Sequence, residues 1–128
     1  MTFHVERIDH VVLRVRDLAA MVHFYEQALG FRVERRIERI SLVQMRAGAS
    51  MLDLVAGERA EAAPNMDHLC FRVAPFDRDA IVTQLAPFGI SVGETVERYG
   101  AEGNGPSVYF HDPEGNQIEL KGPSTAAH

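Results

Sequence analysis

An α+β domain, built from one β-α-β-β-β module used twice, is the fold this 128-residue sequence predicts. Three observations carry the prediction. The phrase Asp9-His10-Val11-Val12-Leu13-Arg14-Val15 returns 58 residues later as Asp67-His68-Leu69-Cys70-Phe71-Arg72-Val73. Two glycines placed like helix ends, Gly30 and Gly89, lie 59 apart. Leu52-Asp53-Leu54 returns as Ile118-Glu119-Leu120 at an offset of 66. Self-similarity in the same order along the chain, with the first two offsets nearly equal, is the mark of a supersecondary unit repeated in tandem.

The first module covers about residues 5–56. Ile8 to Val15 is rich in β-branched residues and reads as a largely buried strand. Asp17 is placed as a helix N-cap, with Leu18, Met21, Val22, Tyr25 and Leu29 at helical spacing behind it. Gly30 closes that helix in a left-handed cap. Phe31 to Ile37, Ile40 to Arg46 and Met51 to Val55 read as strands, with a turn at Gly48. Residues 57–65, polar, Ala-rich and interrupted by Pro64, are the expected linker.

The second module covers about residues 66–121 and repeats the plan. Its strand runs from Met66 to Val73. A helix begins near Asp77 with Ile81, Leu85 and Phe88 on one face, loosened by Pro87 and ended at Gly89. Strands are expected at Ser91 to Glu97, Ser107 to His111 and Asn116 to Lys121, with a tight turn at Asp112-Pro113-Glu114-Gly115. Tyr99 to Pro106, with three glycines, reads as a loop inserted in this copy. Residues 122–128 read as a short flexible tail.

Composition bounds the function. The length suits one domain with a single core. Apolar residues make up 46% and charged residues 24%, ordinary for a globular protein. The net charge of −5 is spread without blocks of like sign, which argues against nucleic-acid backbones and anionic membranes as partners. Cys70 is the only cysteine, so no intrachain disulfide exists and a reducing compartment fits. No segment has the length of a signal peptide's apolar run or of a membrane span. The expectation is a cytoplasmic enzyme or small-molecule binding protein.

The repeated phrases carry chemistry as well as fold. Residues at i and i+4 of a strand share a side, so each copy aims a histidine and an arginine at one face. An acid between two apolar residues points away from them. If Leu52, Leu54, Ile118 and Leu120 cover the helices, Asp53 and Glu119 face the same way as His10 and His68. Each alone has a plainer reading, a packed histidine or a solvated edge-strand acid. Four such residues at equivalent positions in two copies point instead to a divalent ion: Zn, Ni, Mn or Fe(II). Asp53 is the shorter acid and the weaker candidate ligand. Arg14 and Arg72 share that face, either as strand-end salt bridges or as a planar fork for a substrate anion. Tyr109 and His111 lie on one face of their strand as candidate lining, and Cys70 reads as a packed thiol.

With these residues in place the chain resembles the vicinal oxygen chelate superfamily. Ile8-Asp9-His10-Val11, Phe24-Tyr25-Glu26 and Leu29-Gly30-Phe31 resemble its first module. Tyr109-Phe110-His111-Asp112-Pro113-Glu114-Gly115-Asn116-Gln117-Ile118-Glu119-Leu120 is similar to its closing signature. The resemblance runs from residue 8 to 121 and is specific for the superfamily rather than for a branch. It implies an open barrel-like cleft formed by the two modules and a homodimer. It also implies a metal site of His10, His68 and Glu119. Asp53 stands where glyoxalase I has a glutamate that serves as ligand and base, so Asp53 and Glu119 are the candidate catalytic acids. Fosfomycin-resistance enzymes carry a threonine where this chain has Val12, and continue past the last acid into a longer basic segment. Bleomycin-type resistance proteins usually lack the ligand set. The implied activity is a metal-dependent, glyoxalase-like lyase or isomerase, with an extradiol ring-cleaving dioxygenase or a small-molecule-binding resistance protein as alternatives.

Overall fold

A computed structural model describes residues 2–57, 65–111 and 115–125. The chain falls into two compact units, His10–Asp67 on the one hand and Met1–Asp9 with His68–His128 on the other. The boundary passes through strand β1 (His4–Val15), between Asp9 and His10.

In the His10–Asp67 unit, the end of β1 is followed by α1 (Leu18–Leu29), β2 (Arg32–Ile37), β3 (Leu42–Ala47) and β4 (Ser50–Ala56). The strand order is β2-β3-β4-β1, with β1 parallel to β4 and the other pairs antiparallel. Asp17 caps α1 as its sequence position predicts, accepting a hydrogen bond from the Ala20 N–H at 3.0 Å. Gly30 ends the helix at φ 72°, a left-handed conformation that costs glycine nothing. The apolar sides of helix and strands meet in a core of Val15, Val22, Val43, Met45 and Leu54, with Leu13 and Leu52 against it. A 3-10 turn at Glu38–Ile40 ends on Ser41 at φ 50°, so β3 starts at Leu42 rather than at the predicted Ile40.

The other unit repeats the plan with β5 (Met66–Ala74), α2 (Arg78–Leu85), β6 (Val96–Gly100), β7 (Gly103–His111) and β8 (Gln117–Lys121), ordered β5-β8-β7-β6. Asp77 caps α2 through the N–H groups of Asp79 and Ala80. Phe3, Val73, Ile81, Val108 and Leu120 form its core. The first residues of the chain are fastened to this unit. Phe3 enters the core, Glu6 pairs with Arg72, Arg7 pairs with Glu102, and Asp9 accepts from the Ala101 N–H at 3.0 Å.

Three expectations for this second copy need correction. Residues 90–95 form no strand, and β6 begins only at Val96. The Val92 and Gly93 carbonyls are taken by the Arg78 guanidinium at 3.1 and 2.8 Å instead of by a strand neighbour. The glycine-rich stretch is no inserted loop: it is the β6–β7 hairpin, paired from Val96↔Ser107 to Gly100↔Gly103, with Gly103 at φ 94°. Phe88 does not face the core. Pro87 belongs to a tight 3-10 turn, Ala86–Phe88, that leaves Phe88 73% exposed.

Most of the expected linker and the residues 112–114 of the expected turn lie outside the described residues, as do 126–128 of the tail. Residues before those run on beside β7, through Gly122 N–H to the Pro106 carbonyl (2.8 Å) and Thr125 N–H to the Asn104 carbonyl (2.9 Å). Among the described residues, no helix is long and apolar enough to cross a membrane.

Candidate metal centre

Strand alternation sorts the functional candidates of the second unit onto the side away from its core. On β8, Ile118 and Leu120 pack with the core, and the residues between and beyond them, Glu119 and Lys121, are fully buried on the opposite side. On β7, Val108 and Phe110 take the core side and leave Ser107 and Tyr109 opposite. On β5, Phe71 and Val73 do the same and leave His68, Cys70 and Arg72. Register then aligns these polar positions across strands: Tyr109 and Cys70 stand beside Glu119, while Ser107 and Arg72 stand beside Lys121.

Two predicted ligands meet within this unit. His68 Nε2 lies 3.1 Å from Glu119 Oε1, with Glu119 sealed from solvent. Ser107 donates its hydroxyl proton to the other carboxylate oxygen, Oε2, at 2.7 Å, which turns Oε1 toward the imidazole. Two donors bound to one ion at about 2.1 Å each, with angles between octahedral and tetrahedral, stand roughly 3.0–3.4 Å apart. The observed spacing therefore fits a shared divalent cation, and an imidazole nitrogen with a carboxylate oxygen is a donor set that first-row ions accept.

Tyr109 closes the second side of the pair. Its ring meets His68 edge-on at 5.7 Å between centroids, and the Arg98 guanidinium lies 5.7 Å from the Tyr109 ring centre. Burial raises the phenol's pKa well above its ordinary value, and the negative charge of Glu119 raises it further, against the opposing pull of Arg98. The phenol is thus a proton donor rather than a base over the physiological range. Cys70 is fully buried beside Glu119, as a packed thiol should be.

The remaining candidates are placed as follows. His10, in the other unit, is 3% exposed on β1, opposite Met51 of β4. Asp53 is 5% exposed on β4, between the core residues Leu52 and Leu54. Its register partner on β3, Gln44, donates an amide proton to Asp53 Oδ2 at 3.1 Å. Both arginines are engaged by the protein's own carboxylates: Arg14 by Asp67, and Arg72 by Glu6 and Glu102. His111 is exposed at the end of β7.

Among the described residues, four buried polar ones are absent from the sequence-derived set: Asp9, Gln44, Ser107 and Lys121. For two of them a signal is present. Ser107 lies two residues before Tyr109 and Lys121 two after Glu119, so the same-face rule that selects the other candidates selects these as well. Gln44 and Asp9 need the strand register and the fold of the first residues, which the sequence does not display.

Residues 7–120 match the sequence profile of the Glyoxalase/Bleomycin resistance protein/Dioxygenase superfamily. The chain is 36% identical to the virulence protein STM3117 of Salmonella typhimurium, over 91% of this chain and 83% of that one. It is 35% identical to metapyrocatechase 2 of Cupriavidus necator over 95% of its own length, but spans only 35% of that enzyme. Among solved structures it resembles a single-substitution variant of Streptomyces coelicolor methylmalonyl-CoA epimerase, in complex with 2-nitronate-propionyl-CoA, at a TM-score of 0.67 and 25% identity. That alignment covers 98% of this chain and 99% of the other. The paired modules, the repeated histidine–acid phrases and the match along nearly the whole sequence have one meaning: the chain belongs to the Glyoxalase/Bleomycin resistance protein/Dioxygenase superfamily.

Proposed function

We propose that the protein is a metal-dependent enzyme, a glyoxalase-like lyase or isomerase acting on a small oxygen-rich substrate. The observation that supports it most is the Glu119–His68 pair at 3.1 Å, its carboxylate sealed from solvent and fixed by Ser107. His10, the counterpart of His68 in the repeated phrase, is the third ligand; it is buried, as a ligand should be. When bound, a divalent ion supplies Lewis acidity to two neighbouring substrate oxygens and stabilises negative charge that develops on them.

The chain's own residues supply the rest. Asp53 is the base that removes a proton alpha to the substrate carbonyl, its carboxylate steadied at Oδ2 by Gln44. Tyr109, kept protonated by burial and by Glu119, offers a hydrogen bond to an oxyanion. Arg14 and Arg72 act as struts through their ion pairs. Two copies associate, consistent with exposed apolar side chains such as Phe24, Leu29 and Phe88. Zn, Ni, Mn and Fe(II) are the candidate ions.

The test is elemental analysis after chelator treatment and reloading. The wild type is expected to retain one equivalent per chain, and Glu119→Ala and His68→Ala to lose it while remaining folded by circular dichroism. Unchanged metal content in both variants would sink the proposal. A second reading, ring cleavage of a catechol, is favoured by the likeness to metapyrocatechase 2. Fe(II)-dependent oxygen uptake with a coloured product distinguishes it.

A further inference from the structure

The arginines of the unit that holds Glu119 divide by partner. Arg7 pairs with Glu102, Arg72 with Glu6 and Glu102, and Arg78 with Glu94 at 3.6 Å. Arg98, the fourth, is exposed and has no carboxylate partner among the described residues. Its Nη1 donates to the backbone carbonyl of the adjacent Glu97 at 2.9 Å. Most of the five N–H donors of the guanidinium are left for another acceptor.

An exposed guanidinium is by itself an ordinary surface group. The placement of this one is not ordinary. On β6, Arg98 stands opposite Gly105 of β7, as Val96 stands opposite Ser107. Ser107 and Tyr109 lie on the face that carries Glu119, so Arg98 lies on it too. The guanidinium carbon is 5.7 Å from the Tyr109 ring centre, and that ring meets the His68 imidazole at 5.7 Å. Laid end to end, the two spans put Arg98 within about 11 Å of the imidazole whose Nε2 faces Glu119. Exposure falls along the same row: Arg98 is open, Tyr109 half-buried, the His68 side chain 14% exposed and Glu119 1%. Both Arg98 and His68 therefore meet solvent.

This face offers no second open cation among the described residues. Arg72 is held by its two glutamates. Lys121, the single lysine of the chain, is fully buried against Gly100 and Gly105. One guanidinium supplies one positive charge, and its planar fork matches the two oxygens of a carboxylate. A phosphate monoester, with nearly two negative charges at neutral pH, would be only half compensated.

We infer that Arg98 binds a carboxylate of the substrate, with Tyr109 as the wall between that group and the oxygens chelated beside Glu119. The substrate class is a small organic acid whose carboxylate stands several bonds from the chelating oxygens. The chelated end rests on the metal reading above. The carboxylate end is tested first without metal, so the two fail separately.

Chelator-treated protein labelled with 15N-arginine gives an Arg98 Nε–H signal in NMR, identified by its loss in Arg98→Lys. Sodium acetate is expected to move that signal saturably and further than any other arginine's, whereas chloride at equal ionic strength is not. Zinc-loaded protein is then titrated calorimetrically with succinate monohydroxamate and with butyrohydroxamate, which share the chelating end and differ in the remote carboxylate. The wild type should bind the first about tenfold tighter, the worth of one charge-assisted hydrogen bond. Arg98→Met should abolish that preference and leave butyrohydroxamate affinity and metal content unchanged. A signal indifferent to acetate, a shift that chloride reproduces, tighter binding of inorganic phosphate than of acetate, or a preference that survives in Arg98→Met overturns the proposal. Failure of both hydroxamates to bind while acetate still titrates Arg98 overturns the metal reading alone.

Discussion

Replacing Ser107 by alanine tests whether the Glu119 carboxylate is held in a chosen orientation. Both residues are fully buried, and the hydroxyl donates to Oε2 at 2.7 Å. Removing the donor strips a charged acceptor of a bond that water cannot replace, a cost of about 1–3 kcal/mol. For a domain of this size, about 4 °C of melting temperature per kcal/mol gives a drop of roughly 4–12 °C. The more telling effect is on metal. A carboxylate free to rotate no longer presents Oε1 to the point that His68 Nε2 also faces. Loss of a partner behind a ligand lowers metal affinity by about 10- to 100-fold. Competition against a chromophoric chelator reads that constant directly, and Ser107→Thr, which keeps the hydroxyl, should restore most of it. Lower thermal stability with zinc affinity unchanged within about twofold would refute the orienting role and leave Ser107 as packing alone.

Two further outcomes are expected. In the metal-free protein the Tyr109 phenol keeps its proton after an unfolded chain, with its ordinary value of 10.0, has lost it. The stability this confers is complete below that value and drains away as pH rises beyond it. Denaturant midpoints of the wild type should therefore fall faster than those of Tyr109→Phe between about pH 9 and pH 11; parallel curves would contradict it. Asp53→Asn removes the proposed base while keeping a side chain that Gln44 can still bond. It should retain bound metal yet lose solvent-deuterium exchange alpha to the carbonyl of a thiohemiacetal of methylglyoxal, and exchange at the wild-type rate would remove Asp53 from that role.

How far the sequence can be read depends on whether the cause is local. Asp17, Asp77, Gly30 and Gly89 are legible because caps are set by a few neighbouring residues. The inward direction of Glu119 follows from two-residue alternation against Ile118 and Leu120. Failures come where a distant partner decides the outcome. Gly100 and Gly105 look like loop residues because glycine usually signals a break. Here they are strand residues thinned to admit a lysine from β8. Residues 90–95 look like a strand, but Arg78 claims two of their carbonyls. The carboxylates that engage Arg14 and Arg72 come from 53 and 66 residues away, so no local pattern announces them.

Hiding the only lysine has an outcome at the exterior too. Among the described residues, each lysine or arginine side chain that meets solvent is a guanidinium, a planar, delocalised cation rather than a compact ammonium. Amine-directed reagents therefore find no lysine on the described surface, and its cationic contacts are made through forked guanidinium donors.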